Sequence, residues 1–210
     1  MRLAALLTLA IALPATAQER PLLVPSRDVT VAYRASGSGE GRAPEMRLSW
    51  LVARGLLRVD LGGPGGSTGG GLGYLVTDTR GANGFLVMEA NRMVMDLPAG
   101  QNPAAGALLR ESARYQREGT DRVAGLTCTT WRIELEGQTS RACITADGVM
   151  LRAAAGRAGE GMLEAISVTP GPQDPARFER PAGYQSFQPR GPGAPPPRGT
   201  ALPPPGAAPR

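Results

Sequence analysis

The sequence predicts a mainly β protein: one large, curved antiparallel sheet with one or two short helices. Three observations point there. Apolar and polar residues alternate with a period of two through segment after segment, the mark of strands with one buried face. The links between those segments are short and rich in turn residues, which suits antiparallel neighbours rather than crossovers. About ten such segments follow one another, and a sheet of that size curls instead of lying flat.

The chain opens with the layout of a secretory signal. Arg2 supplies a positive start, Leu3 to Leu13 an apolar core, Pro14 a helix break, and Ala15-Thr16-Ala17 an A-x-A cleavage site. This apolar run falls well short of the ~20 residues that a membrane-crossing helix needs. Residues 1–17 are therefore expected to be a cleaved signal peptide and 18–25 a lead-in, followed by a β-rich domain over 26–187 and a tail over 188–210. The expected location is the periplasm or the medium.

Val29, Val31 and Tyr33 form one face of the first strand. Met46, Leu48, Trp50 and Val52 do so in the second, and Leu57, Val59 and Leu61 in the third, with Ala53-Arg54-Gly55 as the hairpin link. The glycine run over 62–73 lacks the GK[ST] of a phosphate loop and fits no G-x-G-x-x-G register, so it reads as a flexible link. Tyr74 to Thr77, Phe85 to Met88 and Arg92 to Leu97 are three more strands, separated by turns at 81–84 and 89–91. Asn102 can cap a short helix with Pro103 in its first position and good helix formers through Glu111. Ala113 to Glu118 can continue that helix or begin a strand, the strand being preferred, and Gly119-Thr120-Asp121 is read as a turn. Trp131, Ile133 and Leu135 share the face of the next strand. Gly137-Gln138 and Asp147-Gly148 turn the chain into Arg141 to Thr145 and Met150 to Ala153, before a last strand over Gly161 to Thr169. From Pro189 onward nine of 22 residues are proline, so this segment reads as a disordered tail with P-x-x-P spacing.

Composition excludes several function classes. The chain has no histidine and no lysine, which removes the commonest general base and metal ligand and any Ser-His-Asp or Cys-His catalysis. Asp78, Glu89, Asp96 and Asp147 stand at strand ends or turns, where solvation accounts for them. No catalytic residue, metal site or cofactor is expected. The net charge of +5 is carried partly by Arg190, Arg198 and Arg210 in the tail, and aromatics make up only 4%, so nucleic acid is not an expected partner. The two cysteines, Cys128 and Cys143, predict a disulfide in an oxidising compartment. A hairpin that pairs Glu136 with Thr139 sets Cys143 opposite Arg132, with Cys128 four residues further on. The Cα atoms then lie beyond the ~7 Å that a disulfide tolerates, so a bulge at Thr129-Thr130 or another loop length is required.

The most distinctive stretch lies between residues 119 and 152. V-A-G-x-x-C (Val123 to Cys128), a tryptophan three residues on, and C-x-T-x-D-G-V-x-L-R (Cys143 to Arg152) resemble a family of uncharacterised secreted bacterial domains distantly similar to the Lol lipoprotein carriers. RMVMDLP and the closing FERPAGYQ (Phe178 to Gln185) also look like that family. The resemblance spans roughly residues 26 to 186. It implies a half-barrel with an apolar concave face, and in the carriers that concavity holds acyl chains.

Two functional readings follow. In the first, an apolar ligand, lipid or lipidated partner occupies the concave face. Its candidate residues are Met46, Leu48, Trp50, Val52, Met93, Met95, Trp131 and Ile133. Methionine suits a surface that accommodates varied shapes, although the same methionines also read as core filling. In the second, the sheet is an envelope-associated platform whose Pro/Arg-rich tail reaches a partner. The protein is expected to be a monomer in either case.

Overall fold

The computed structural model describes residues 19–36, 45–62, 73–79, 83–98, 109–155 and 162–187. Among them lie twelve strands: β1 (Val29–Ser36), β2 (Glu45–Leu51), β3 (Leu56–Leu61), β4 (Gly73–Asp78), β5 (Gly84–Met88), β6 (Met93–Leu97), β7 (Arg114–Val123), β8 (Leu126–Leu135), β9 (Gln138–Ile144), β10 (Met150–Ala155), β11 (Met162–Pro170) and β12 (Gln185–Phe187). All belong to one curved, unclosed sheet in the order β12-β6-β5-β4-β3-β2-β1-β11-β10-β9-β8-β7. Two meanders, β2–β6 and β7–β11, meet at β1, which pairs antiparallel with both β2 and β11. The pairing is antiparallel throughout except at the β12 edge, where three residues run parallel to β6.

The alternation in sequence becomes register. Val29 faces Trp50, Val31 faces Leu48, and Tyr33 faces Met46. Trp50 in turn faces Leu57, and Leu48 faces Val59. These side chains belong to a central apolar cluster that also takes in Leu75, Leu97, Val123, Cys128, Cys143, Val149, Leu151 and Ala165. The Tyr33 hydroxyl donates across it to the Met150 carbonyl at 2.5 Å, and burial pushes its pKa well above the usual tyrosine value. Tyr33→Phe removes that donor from a buried acceptor. Denaturant unfolding is expected to show a loss of about 1–2 kcal/mol, and an unchanged midpoint would count against the bond.

Several links differ from the sequence reading. Gly119-Thr120-Asp121 is not a turn but part of β7, and Gly119 marks a register shift after Arg117, as glycine within a strand often does. The turn is instead Ala124-Gly125, both at positive φ, as a tight two-residue hairpin requires. Likewise Glu136-Gly137 turns the chain with both residues at positive φ, and Gln138 already belongs to β9. The expected Asp147-Gly148 turn is present, with Gly148 at φ 86°. The helix expected over Asn102 to Glu111 lies largely outside the described residues, and the part that is described, from Leu109, is not helical. Among the described residues, helical geometry is limited to 3-10 turns at Val52–Arg54 and Pro175–Phe178. The glycine run from 63 to 72 and the tail from 188 also lie outside the described residues.

The segment after β11 clasps the outer face of β2–β6. Asp174 caps the Pro175–Phe178 turn by accepting from the Ala176 amide at 2.9 Å. Phe178 is buried in a second cluster with Leu51, Tyr74, Val76, Val87 and Val94. Arg58, stacked 3.5 Å over the Tyr74 ring, donates to the Arg177 carbonyl at 2.6 Å. Glu179 meets Arg54 at 3.2 Å, Arg180 meets Asp96, and Gln185 donates to the Arg92 carbonyl at 2.9 Å. The closing FERPAGYQ motif thus does local work: it plugs, pins and ends in β12.

Candidate functional site

At one end of the sheet the strand tips surround an open cleft of about 470 Å³. Its walls come from the β7–β8 hairpin (Ala124, Leu126, Thr127), the β9–β10 turn (Thr145, Ala146, Asp147, Val149), the end of β11 (Val168, Pro170) and the start of β1 (Arg27, Val29). That size lies within the range of small-molecule sites. Most of the lining is aliphatic, and Leu126 is 40% exposed at the rim. The two motifs that stand out in the sequence, V-A-G-x-x-C and C-x-T-x-D-G-V, supply two of the walls.

The β9–β10 turn is held from several sides. The Thr145 hydroxyl donates to Asp147 Oδ1 at 2.5 Å and accepts from the Val149 amide at 2.9 Å. Arg27 donates through Nε and Nη2 to Asp147 Oδ2 at 3.1 and 2.9 Å, and the Ser26 amide donates to the Asp147 carbonyl at 2.9 Å. A Cβ on Gly148 would sit 2.5 Å from the Val24 carbonyl oxygen, so only glycine allows the N-terminal segment to lie so close. The Thr145 hydroxyl, with Arg27 next, holds the Asp147 carboxyl below its ordinary value of 3.8 despite partial desolvation. A carboxylate depressed in the folded state contributes stability above its unfolded pKa, and that stability is lost as pH falls through the folded value. Wild-type stability is therefore expected to drop below about pH 4 more steeply than that of Asp147→Asn, as urea titrations at a pH series would show. Parallel pH slopes for the two proteins would contradict this.

Val29 and Val149 of the cleft share the central cluster with Cys128 and Cys143, which form a disulfide with Cα atoms 5.4 Å apart. The expected register differs from the observed one by two residues. The tight Glu136-Gly137 turn sets Cys143 opposite Thr130, not Arg132, so Cys128 lies two residues along instead of four. Both cysteines are buried in the central cluster. In the chain-entropy view a loop of this length contributes about 3 kcal/mol. Cys128→Ala/Cys143→Ala should lose about that much in chemical denaturation, and an unaffected midpoint would overturn the estimate.

Around this end the sheet curls tightly. Glu118 on β7 accepts from Arg132 on β8 at 2.9 Å and from Arg141 on β9 at 2.8 Å. Hydrogen bonds from Arg141 first, then Arg132, keep its carboxyl below the usual range. Arg152 on β10 reaches Asp121 on β7 at 2.5 Å and Glu164 on β11 at 2.7 Å.

The residues expected to form one apolar face are divided. Leu48 and Trp50 belong to the central cluster at 3% and 5% exposure, with Met46, Val52 and Met95 half-buried against it. Trp131 and Ile133 belong instead to a third cluster with Tyr115, Ala142, Ile144 and Met150, and Met93 is half-buried outside all three. Register shifts at Ala32/Tyr33 and Met150/Arg152 break the strict period of two between the halves of the sheet. The cleft residues were missed because several sit in turns, where no alternation marks them. The distinctiveness of the two motifs was the available signal. Among the described residues no group of three or more His, Cys, Asp or Glu side chains could hold a metal, and no helix is long and apolar enough to cross a membrane.

No protein-family model matches the chain, and no curated protein matches it. Among solved structures it is similar to an uncharacterized conserved protein from Thermus thermophilus, at 15% identity and a TM-score of 0.55, over 78% of this chain and 91% of that one. MucB in the MucA/MucB complex of Pseudomonas aeruginosa gives 12% identity and a TM-score of 0.49, over 77% of this chain and 58% of that one. A putative outer membrane lipoprotein-sorting protein domain from Vibrio parahaemolyticus gives 10% and 0.34, over 69% and 85%. The last two likenesses are too loose to carry an argument. The first establishes a shared fold and nothing about activity: the chain is an open, curved antiparallel half-barrel, the architecture that its sequence resemblance implies.

Proposed function

We propose that this chain is an exported, non-enzymatic binding protein that accepts an apolar group, either an acyl chain or the apolar part of a lipidated partner, at the mouth of its half-barrel. The observation that carries this is the cleft of about 470 Å³ with its largely aliphatic lining. Two of its polar side chains are committed within the wall: Asp147 to Arg27 and Thr145, and Thr145 to the Val149 amide. The aliphatic majority of the lining offers an occupant apolar contact, which favours burial of hydrocarbon at roughly 25 cal/mol per Å², with Arg27 and Thr127 as the polar groups at the wall. The Leu48 and Trp50 face is already buried within the protein, so the mouth is the better seat.

Export and the signal peptide over residues 1–17 belong to the same proposal, as does a partner for the Pro/Arg-rich tail over 188–210. N-terminal sequencing of the protein recovered from an envelope fraction tests export, with Gln18 as the expected first residue. Binding is tested with delipidated, refolded protein and a fluorescent fatty acid. Ala146 is exposed on the cleft wall, so Ala146→Trp fills the cleft without disturbing the core and should abolish saturable binding. Met95→Glu should leave binding intact. The reverse pattern would move the site to the inner face, and no saturable binding by wild type would end the proposal.

A further inference from the structure

We propose that the tip of the β7–β8 hairpin, residues 122–127, is a flap over the cleft, hinged at the Gly119 bulge and latched shut by Arg152. This rests on reading the cleft as a binding site. β7 is an edge of the sheet, hydrogen-bonded through its backbone to β8 alone. Its other side is held toward β11, four places away in the sheet order, through side chains. Arg152 donates Nη1 to Asp121 Oδ2 on β7 at 2.5 Å and Nε to Glu164 Oε2 on β11 at 2.7 Å. An edge strand held by ion pairs on one side opens more easily than a strand held by two ladders.

Three further placements define the moving part. On β7 the register shifts between Arg117 and Gly119, and nothing lies within 4 Å of where a Gly119 Cβ would be, so the backbone has room to bend there. On β8 the disulfide fixes Cys128 to β9 and stops the motion from spreading. Asp121 is the ladder partner of Cys128, which puts the latch at the base of the flap. Beyond it Val123 is 3% exposed in the central cluster, while Ala124, Leu126 and Thr127 line the cleft. Lifting the tip withdraws Val123 and extends the cleft toward Leu151 and the disulfide. The latch is weak enough to release: Arg152, Asp121 and Glu164 side chains are 32%, 46% and 38% exposed, and pairs this exposed are modest and screened by salt.

The test is hydrogen exchange on the ligand-free full chain, followed by stopped-flow uptake of the fluorescent fatty acid. Asp121→Asn should speed exchange of the 123–127 amides about two- to fivefold at low salt and leave those of 140–144 unchanged; the Arg122 amide donates directly to Asp121 Oδ1 at 2.7 Å and is not part of this readout. Raising the salt to roughly 0.5 M should speed wild type likewise and have little effect on the variant. Uptake should quicken by the same factor. A second variant, Glu164→Gln, releases the β11 side of the latch and should act in the same direction. Equal exchange in wild type and Asp121→Asn, or a uniform rise across the sheet, overturns the flap. Selective exchange without any uptake supports the flap and removes the cleft's binding role instead.

Discussion

Phe178→Ala is expected to lower unfolding free energy by about 4 kcal/mol, within the range for truncating a buried aromatic. Phe178 is 3% exposed and is the plug of the outer cluster, surrounded by Leu51, Tyr74, Val76, Val87 and Val94. Its loss leaves a cavity on a face that no second sheet covers. The polar bonds around it are arranged on its position: Arg58 bonds the neighbouring Arg177 carbonyl, and Arg177 reaches Asp60 at 3.5 Å. The clasp from 171 to 187 should therefore loosen as a unit and gain sites of limited proteolysis that the wild type lacks, while the β7–β11 half keeps its protection. Arg54→Ala removes only an exposed pair with Glu179 and should cost less than about 1 kcal/mol. A Phe178→Ala midpoint no lower than that of Arg54→Ala would refute the role assigned to the clasp.

Gly148→Ala should cost nearly as much, about 3–4 kcal/mol. Two effects add. An L-residue at φ 86° is strained by about 1–2 kcal/mol. Its methyl would also meet the Val24 carbonyl oxygen at 2.5 Å and the Leu22 Cβ at 3.0 Å, and overpacking of that kind costs about 1–3 kcal/mol. The backbone must retreat, and the Ser26 amide then leaves the Asp147 carbonyl. The cleft is built on that contact, so the fatty-acid binding proposed for it should weaken along with stability. Gly125→Ala separates the two causes. Gly125 has positive φ but nothing within 4 Å of its missing Cβ, so only the strain applies there. Equal losses at both glycines would show that the approach of residues 22–24 is not tight.

These two positions also show how far the sequence could be read. Gly148 was legible because Asp-Gly is a local turn signal, and a turn is decided by the two residues that make it. The first six strands were legible for a related reason: each alternation is a local record of one face buried and one not. Phe178 was visible only as part of a recurrent closing motif. Nothing near it in sequence says that it inserts against strands from the first half of the chain. The Gly119-Thr120-Asp121 turn was misread because local composition favours a turn there, while the β7–β8 ladder needs a bulge and places its turn at Ala124-Gly125.

By itself the sequence determined the class of the fold, the first six strands and the identity of the cysteine pair, since each depends on neighbouring side chains or on simple scarcity. Tertiary structure decided the rest. It set β1 as the seam between the meanders, placed Cys143 opposite Thr130, and divided the expected apolar face into separate clusters. A register shift of one residue reverses which side of a strand is buried, and such shifts are fixed by partners distant in the chain. The cleft follows from the same cause, because it exists only where several separate segments end together.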